Sequence, residues 1–518
     1  MPTLVPALRV GVAVEPAPQD SSFPAVLIDT ELERRMKLDW TVLAVAERLS
    51  EGPSDLTELV EITEADPEVV EQAVALLQRM HVLDTEATRA FVADARAVRE
   101  RQTAEPSTVP LLIRADAAFS CTMCGSCCGG HNVGPVSDEV LEGLAPYQQM
   151  LRDVTGSAKG LFFEVPTPTP QGDVHYKAVC HTSGGSCVFL GDDHKCVIHA
   201  RLGGEKKPAV CRLFPYQFTA TPDGVAVSLQ MECRGFVEAG QGKPLTEQEP
   251  ELRRLLAMAP VPRVRPVIAL ERGVALSWAE YSALEARLHE QLDAHPADPS
   301  QALLAMRGVL EEAAGRTPAV QVQEKADAQE KAEEHSGRDA LARDMDALTE
   351  ALIEANDTLR DAFAQDDERT IVHTESLDQL SLAFRDLRAR FARSARKPRR
   401  ADQARLFVQA THHHLHGKDL THSSRLTLGM ARVAFGWFVA QTLAQSRARQ
   451  VKRAHLVPQD ILDAMTVVNF MLRNSDFVRS FQRFDAAVES LFYHRLPGLV
   501  ACAEGLAEPD VRLELTKF

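Results

Sequence analysis

CTMCGSCC, residues 121–128, decides how this chain is read. It places Cys121, Cys124, Cys127 and Cys128 within eight positions, and Cys180, Cys187, Cys196, Cys211 and Cys233 follow. Of ten cysteines in 518 residues, only Cys502 lies outside this span, and it reads as a core residue of a helix. The start of the chain, MPTLVPALRVGVAVEPAPQD, has no charged stretch leading into an apolar core, so no signal peptide is read and a cytoplasmic protein is expected. A reducing compartment disfavours a disulfide framework, so a dense local cluster of thiols points to metal or redox chemistry.

A C-x2-C-x2-C run lets one short loop wrap three thiolates around a single centre, as in [4Fe-4S] ferredoxins. Cys128 follows Cys127 directly, and adjacent side chains diverge, so these two are expected to serve different metals or different irons. Two hairpins are read downstream. Val188–Leu190 and Cys196–Ile198 flank the turn 191–194, and Tyr216–Ala220 and Val225–Met231 flank Thr221-Pro222-Asp223-Gly224. On this reading Cys187 and Cys196 sit near one another on facing strands, and Cys211 falls nearly opposite Cys233 and Arg234, roughly 5–8 Å apart. Two tetra-cysteine sites need eight thiolates, and nine are present. Nine packing thiols at this spacing would be hard to explain as core filler.

CTMCGSCCGG, SCVFLGDDHKCVIHARL and KPAVCRLFP together resemble the YkgJ-like cysteine-cluster family, a zinc- or iron-chelating domain that includes relatives of flagellin lysine-N-methylases. Lys207-Pro208 stands where the family has Arg-Pro, and His199 where Tyr is frequent. The likeness spans roughly 130 residues. The resemblance implies metal binding and, by analogy alone, S-adenosylmethionine chemistry. No Gly-rich strand–turn–helix site for that cofactor is legible, and GQGKP at 240–244 reads as a loop.

Thiolate ligation suits an iron–sulfur cluster and zinc alike. The triple C-x2-C-x2-C favours a [4Fe-4S]-type cluster, while His181, His194 and His199 near the thiols keep zinc as the alternative. Arg212 and Arg234, next to Cys211 and Cys233, are candidate cofactor-binding residues that would offset cluster charge; the competing reading is a salt bridge to Asp192, Asp193 or Glu232.

Working outward, the expected fold class is α+β, mainly α. A small winged-helix-like or PqqD-like protein-contact domain occupies 1–105, the cysteine-cluster domain with short β-hairpins 106–245, and a small α/β or helical extension 246–320. A charged linker spans 321–337 and a helical bundle 338–518. In the first unit three short helices are predicted over residues 38–86, with Ser54 and Asp66 as helix starts. Leu56, Leu59, Val60, Val69, Val70, Ala73, Leu76 and Leu77 would share one core. Residues 1–100 carry 9 Lys/Arg against 19 Asp/Glu, and the whole chain is at −16, so nucleic acid is not an expected partner. A protein or peptide is. Leu426–Leu443 is apolar but carries Arg432 and Gln441, so a buried helix is expected there and no membrane association. Leu341, Met345, Leu348, Leu352, Leu359 and Phe363 form one stripe, and Leu377, Leu380, Phe384, Leu387 and Phe391 a second, which predicts a helical hairpin. ATHHHLHGKDLTH, with His412, His413, His414, His416 and His422, reads as a polar helix end without a local carboxylate or cysteine partner, and the basic run 388–400 as a solvated helix end.

Three functions follow as expectations. One is an iron–sulfur protein acting in protein modification or electron transfer. The second is a flagellin-type lysine N-methyltransferase. The third is an interaction scaffold stabilised by zinc. No Ser/His/Asp triad or paired-carboxylate signature supports hydrolysis.

Overall fold

The computed structural model describes the chain except residues 1–3, 19–20, 22, 103–107, 123, 126–127, 129–132, 158–159, 170–171, 183–185, 231–232, 234–241, 260, 272, 317–329, 365–376, 387–400, 454–455, 474–480 and 505–518. The protein is α+β and mainly helical, with small sheets of two or three strands.

In the N-terminal region the helices run Trp40–Glu51, Leu56–Thr63, Pro67–Arg79 and Glu86–Gln102. Asp39, Asp55 and Asp66 cap the first three by accepting from Val42, Glu58 and Glu68 backbone N–H groups. The second helix is therefore capped one residue beyond Ser54, the start expected, because Ser54 pairs with Val5 in a short strand. Leu59, Val70, Ala73 and Leu77 are buried, whereas Val69 is exposed. Helical spacing admits both Val69 and Val70 to a core face, but only Val70 turns inward.

The helical reading of this region missed an antiparallel meander, Val12–Pro16, Ala25–Asp29 and Arg34–Leu38. Its central strand alternates buried and half-buried positions, the period-two pattern of a sheet covered on one side. Asp29, wholly buried, is held by Arg9 at 2.5 Å and Arg34 at 3.0 Å, so its charge is compensated inside the core.

The cysteine-rich stretch divides between two cores. Residues 133–202 enclose a small one around Leu144, Leu151, Leu161, Val179, Phe189 and Ile198, beside a long hairpin, Phe162–Thr169 and Gly172–Val179. The hairpin expected around Thr221–Gly224 forms as Tyr216–Thr221 and Gly224–Leu229, and Leu111–Ile113 adds to it in parallel. This sheet belongs to the large core that runs on through the C-terminal helices to Val500.

The hairpin expected near Gly273 is also present, as Ile268–Glu271 and Val274–Leu276. Ser277 and Glu280 then form a reciprocal capping box that starts the helix Trp278–Ala294. In the hairpin of long helices, Leu341, Met345, Leu348 and Leu352 meet Leu377, Leu380 and Phe384, and Asn356 donates to Leu377 O at 2.7 Å and Ser381 Oγ at 2.8 Å. The side chains of Phe363, Leu387, Phe391 and Cys502 lie outside the described ones, as do the basic run and most of the charged linker. Leu426–Gln450 is long and apolar enough to cross a membrane, and 89% of its apolar window is buried against neighbouring helices.

Gly224 is the tightest point of the sheet. At φ +146° a Cβ there would stand 2.4 Å from the Pro110 carbonyl oxygen. Gly224→Ala is expected to destabilise the fold by about 1–3 kcal/mol, the range for overpacking a tight site, with the strained φ adding to it. Urea unfolding followed by circular dichroism measures this; an unchanged midpoint would show that the ladder tolerates a side chain.

Candidate metal centre

The loop 121–128 leaves a short antiparallel pair, Ala118–Phe119 against Lys243–Pro244. Lys243 N donates to Ser120 Oγ at 3.0 Å, Gln248 Nε2 donates to Phe119 O at 2.9 Å, and Tyr216 Oη donates to Gln248 Oε1 at 3.0 Å. GQGKP is thus not simply a loop: its last two residues form the strand that pins the start of the cysteine run. Burial first, then the charges of Glu251, Cys121 and Cys233, push the Tyr216 hydroxyl up to about 12. Cys121 and Cys233 are therefore both near this ring.

Further along, Cys128 N donates to Gly125 O at 2.9 Å, closing a turn, and Cys187 N donates to Cys128 O at 2.6 Å. The first motif is so joined directly to the second. Gly125 has φ +73°, and its Cα faces the turn at 190–194 so closely that a Cβ would lie 3.0 Å from His194 O and from Leu190 Cδ1.

The second motif is a pair of tight turns, not the hairpin expected. His181 bridges Cys187, Leu190 bridges Cys196, and the chain then enters a helix, Val197–Leu202. Val197 N still reaches Phe189 O at 2.8 Å, which holds Cys196 beside the turn. Cys211 is likewise on a short helix, Ala209–Leu213, not on an extension of the 216–229 ladder. Pro208 fixes the approach and its carbonyl accepts from Cys211 N at 3.0 Å and Arg212 N at 3.2 Å, so the backbone turns before a strand can continue.

These segments place five thiols around one small core. Cys180 and Cys187 are buried in the small core, and Cys128, Cys196 and Cys211 pack against it. Cys233 instead packs against the large core. Cys124 is half-buried and Cys121 exposed. Arg212 pairs with Glu205 at 2.6 Å, a partner the sequence reading did not name, and its side chain is mostly buried while Glu205 is exposed. Cys127 and Arg234 lie outside the described residues.

Residues 120–233 match the CxxCxxCC family model, described as "Putative zinc- or iron-chelating domain". The segment is a metal-binding cysteine cluster. The match covers less than half of the chain, and searches of curated proteins and of solved structures found none. The donor set fits such a role: soft thiolates from separate segments of the chain, those of Cys180 and Cys187 buried, gathered around one small core.

The histidine-rich helix end is not solvated as expected. His412, His413 and His414 are buried where the helix Ala401–His416 packs on the helix Trp278–Ala294 and on the sheet. Burial, aided by neighbouring cations such as Arg114 and Lys418, lowers His289 to about 2, His413 to about 3, and His412 and His416 to about 4. His414 contacts Asp419 at 2.5 Å, and His422 is largely exposed. Sequence reasoning missed Glu285 and His289, which the fold brings to this cluster; the spacing of four in ALEARLHEQ was the available signal.

The seating of Gly125 carries a prediction. Gly125→Ala should leave the helical content unchanged and lower the metal bound per chain, because the loop must lift from the 190–194 turn. Elemental analysis beside circular dichroism tests it, and full metal content in the variant would show that the close approach is not needed.

Proposed function

We propose that this is an iron–sulfur protein acting in protein modification or electron transfer, with two thiolate centres. The observation that carries it is the division of the cysteines: Cys128, Cys180, Cys187, Cys196 and Cys211 at the small core, and Cys121 with Cys233 beside Tyr216. One centre draws its ligands from the first five. The other takes Cys121 and Cys233 with Cys124 and Cys127 from the same loop, which lets the adjacent Cys127 and Cys128 face different centres. Arg212, held by Glu205, supplies positive charge next to Cys211 and stabilises the more negative, reduced form; Arg234 is proposed for the same role beside Cys233.

The acidic N-terminal region is proposed to present a protein or peptide substrate. Supporting this, Trp40 is 75% exposed and lines a cleft of about 1310 Å³ between that region and the rest of the chain, together with Arg34, Lys37, Arg265 and Arg425. Exposed tryptophan beside charge suits peptide contact.

A second reading, a zinc-stabilised scaffold, is favoured by the smallness of the core between residues 133 and 202, since small cores commonly need a metal to hold. The methylase reading gains nothing from the glycine-bearing segment at 240–244, whose Lys243 and Pro244 are spent on strand pairing.

Anaerobically purified full-length protein should be brown and contain iron and acid-labile sulfide in near-equal amounts; colourless protein with stoichiometric zinc would replace this proposal by the scaffold. Cys128→Ser should remove only part of the bound metal, and complete loss with the fold intact would mean a single centre. Arg212→Gln is expected to lower the reduction potential at nearly constant metal content, Arg212→Lys less so. Identical potentials in parent and both variants would place Arg212 outside the site.

A further inference from the structure

Away from the cysteines, three potential ligands converge inside the helical part of the protein. Glu285 and His289 stand one turn apart on the helix Trp278–Ala294, and His416 ends the helix Ala401–His416. One ligand atom from each lies within 4.8 Å of the other two.

Their hydrogen bonds leave the right atoms available. His416 Nε2 donates to Leu112 O at 2.8 Å, so its Nδ1 carries the lone pair. His412 Nε2 donates to Asp293 at 3.2 Å, which makes His412 Nδ1 an acceptor. That nitrogen is 2.8 Å from His289 Nδ1 and 2.9 Å from the Arg114 guanidinium, which also stands 3.0 Å from His289 Nδ1. His289 Nδ1 can either accept from Arg114 or donate to His412 Nδ1, and in the second tautomer, the one metal binding requires, its Nε2 lone pair faces Glu285 Oε1, 3.9 Å away. Metal-bound histidines are commonly oriented in this way, by donating the other ring N–H to a fixed acceptor.

Glu285 adds an independent sign. Its side chain is 10% exposed, Lys418 Nζ contacts Oε1, and Oε2 is buried without a hydrogen-bond partner. The Tyr281 hydroxyl, raised well above its ordinary value by burial and then by Glu285, is beside it but completes no well-formed bond. A buried carboxylate oxygen left unpaired costs free energy unless something else binds it.

We propose that Glu285, His289 and His416 form a further metal site, separate from the thiolates and of the two-histidine, one-carboxylate class, for a divalent first-row transition metal. Imidazole and carboxylate donors suit zinc, iron(II) or cobalt(II), and three protein ligands leave a coordination position for water or a substrate. Lys418 is the built-in competitor, a buried cation already on Glu285, with its backbone in the left-handed region at φ +66°.

Cobalt(II) titration of the full chain separates this site from the thiolates, because cobalt on sulfur shows intense ligand-to-metal charge transfer and cobalt on nitrogen and oxygen does not. The parent should take up one equivalent showing only weak visible bands. Glu285→Gln, His289→Ala and His416→Ala should each lose that equivalent, while His422→Ala should keep it. Lys418→Met removes no ligand and leaves the Glu285 charge uncompensated, so it should bind cobalt about tenfold or more tightly than the parent. The proposal is overturned if the parent binds cobalt only with charge transfer, if the ligand variants keep the extra equivalent, or if Lys418→Met fails to tighten it.

Discussion

The bond from Val225 N to the Pro110 carbonyl, at 2.8 Å, begins the ladder on which both candidate sites depend. It sets Leu111–Ile113 parallel to the far strand of the 216–229 hairpin, and Gly224 is the residue that lets the two backbones meet. From one end of that hairpin the chain leads to Cys211 and Cys233. On its other connections, Leu112 O accepts from His416, Leu229 N donates to His413 Nδ1 at 3.2 Å, and Thr219 Oγ1 donates to Gly417 O at 2.9 Å. A three-stranded sheet therefore leads directly to Cys211 and Cys233 and holds the histidine-bearing segment by three hydrogen bonds.

The two clusters hold their polar groups by different means. The cysteines come together through backbone turns: Cys187 on Cys128, Val188 N on Cys180 O at 2.9 Å, and Cys211 behind Pro208. Their core is much smaller than the one that holds the histidines, so metal–thiolate bonds would add to the local stability. The histidines are placed by rigid helices in a large core, where burial keeps them uncharged and leaves Arg114 and Lys418 as the cations. Such preorganisation needs no ligand to form, although an unspent carboxylate oxygen remains within it.

Much of the architecture was legible in local pattern. Asp66 announced a helix start, the turn Thr221–Gly224 announced its hairpin, and the stripes at 341–352 and 377–384 announced a helical pair. The failures were equally local in origin. Ala25–Asp29 reads AVLID, a short apolar run without polar alternation, and Cys196–Ile198 carries strand-forming residues yet leads into a helix once Cys196 has bridged Leu190.

By itself, the sequence determined that a metal-binding cysteine cluster lies between residues 120 and 233, because ligand type and close spacing are properties of the chain alone. Tertiary structure decided which thiols share a core, that Arg212 meets Glu205, and that Glu285, His289 and His416 converge. The physical reason is range. Periodicity and turn chemistry report on neighbours within a few residues, whereas two helices far apart in sequence come into contact only when burying their apolar faces in one core fixes which polar residues are carried inward with them.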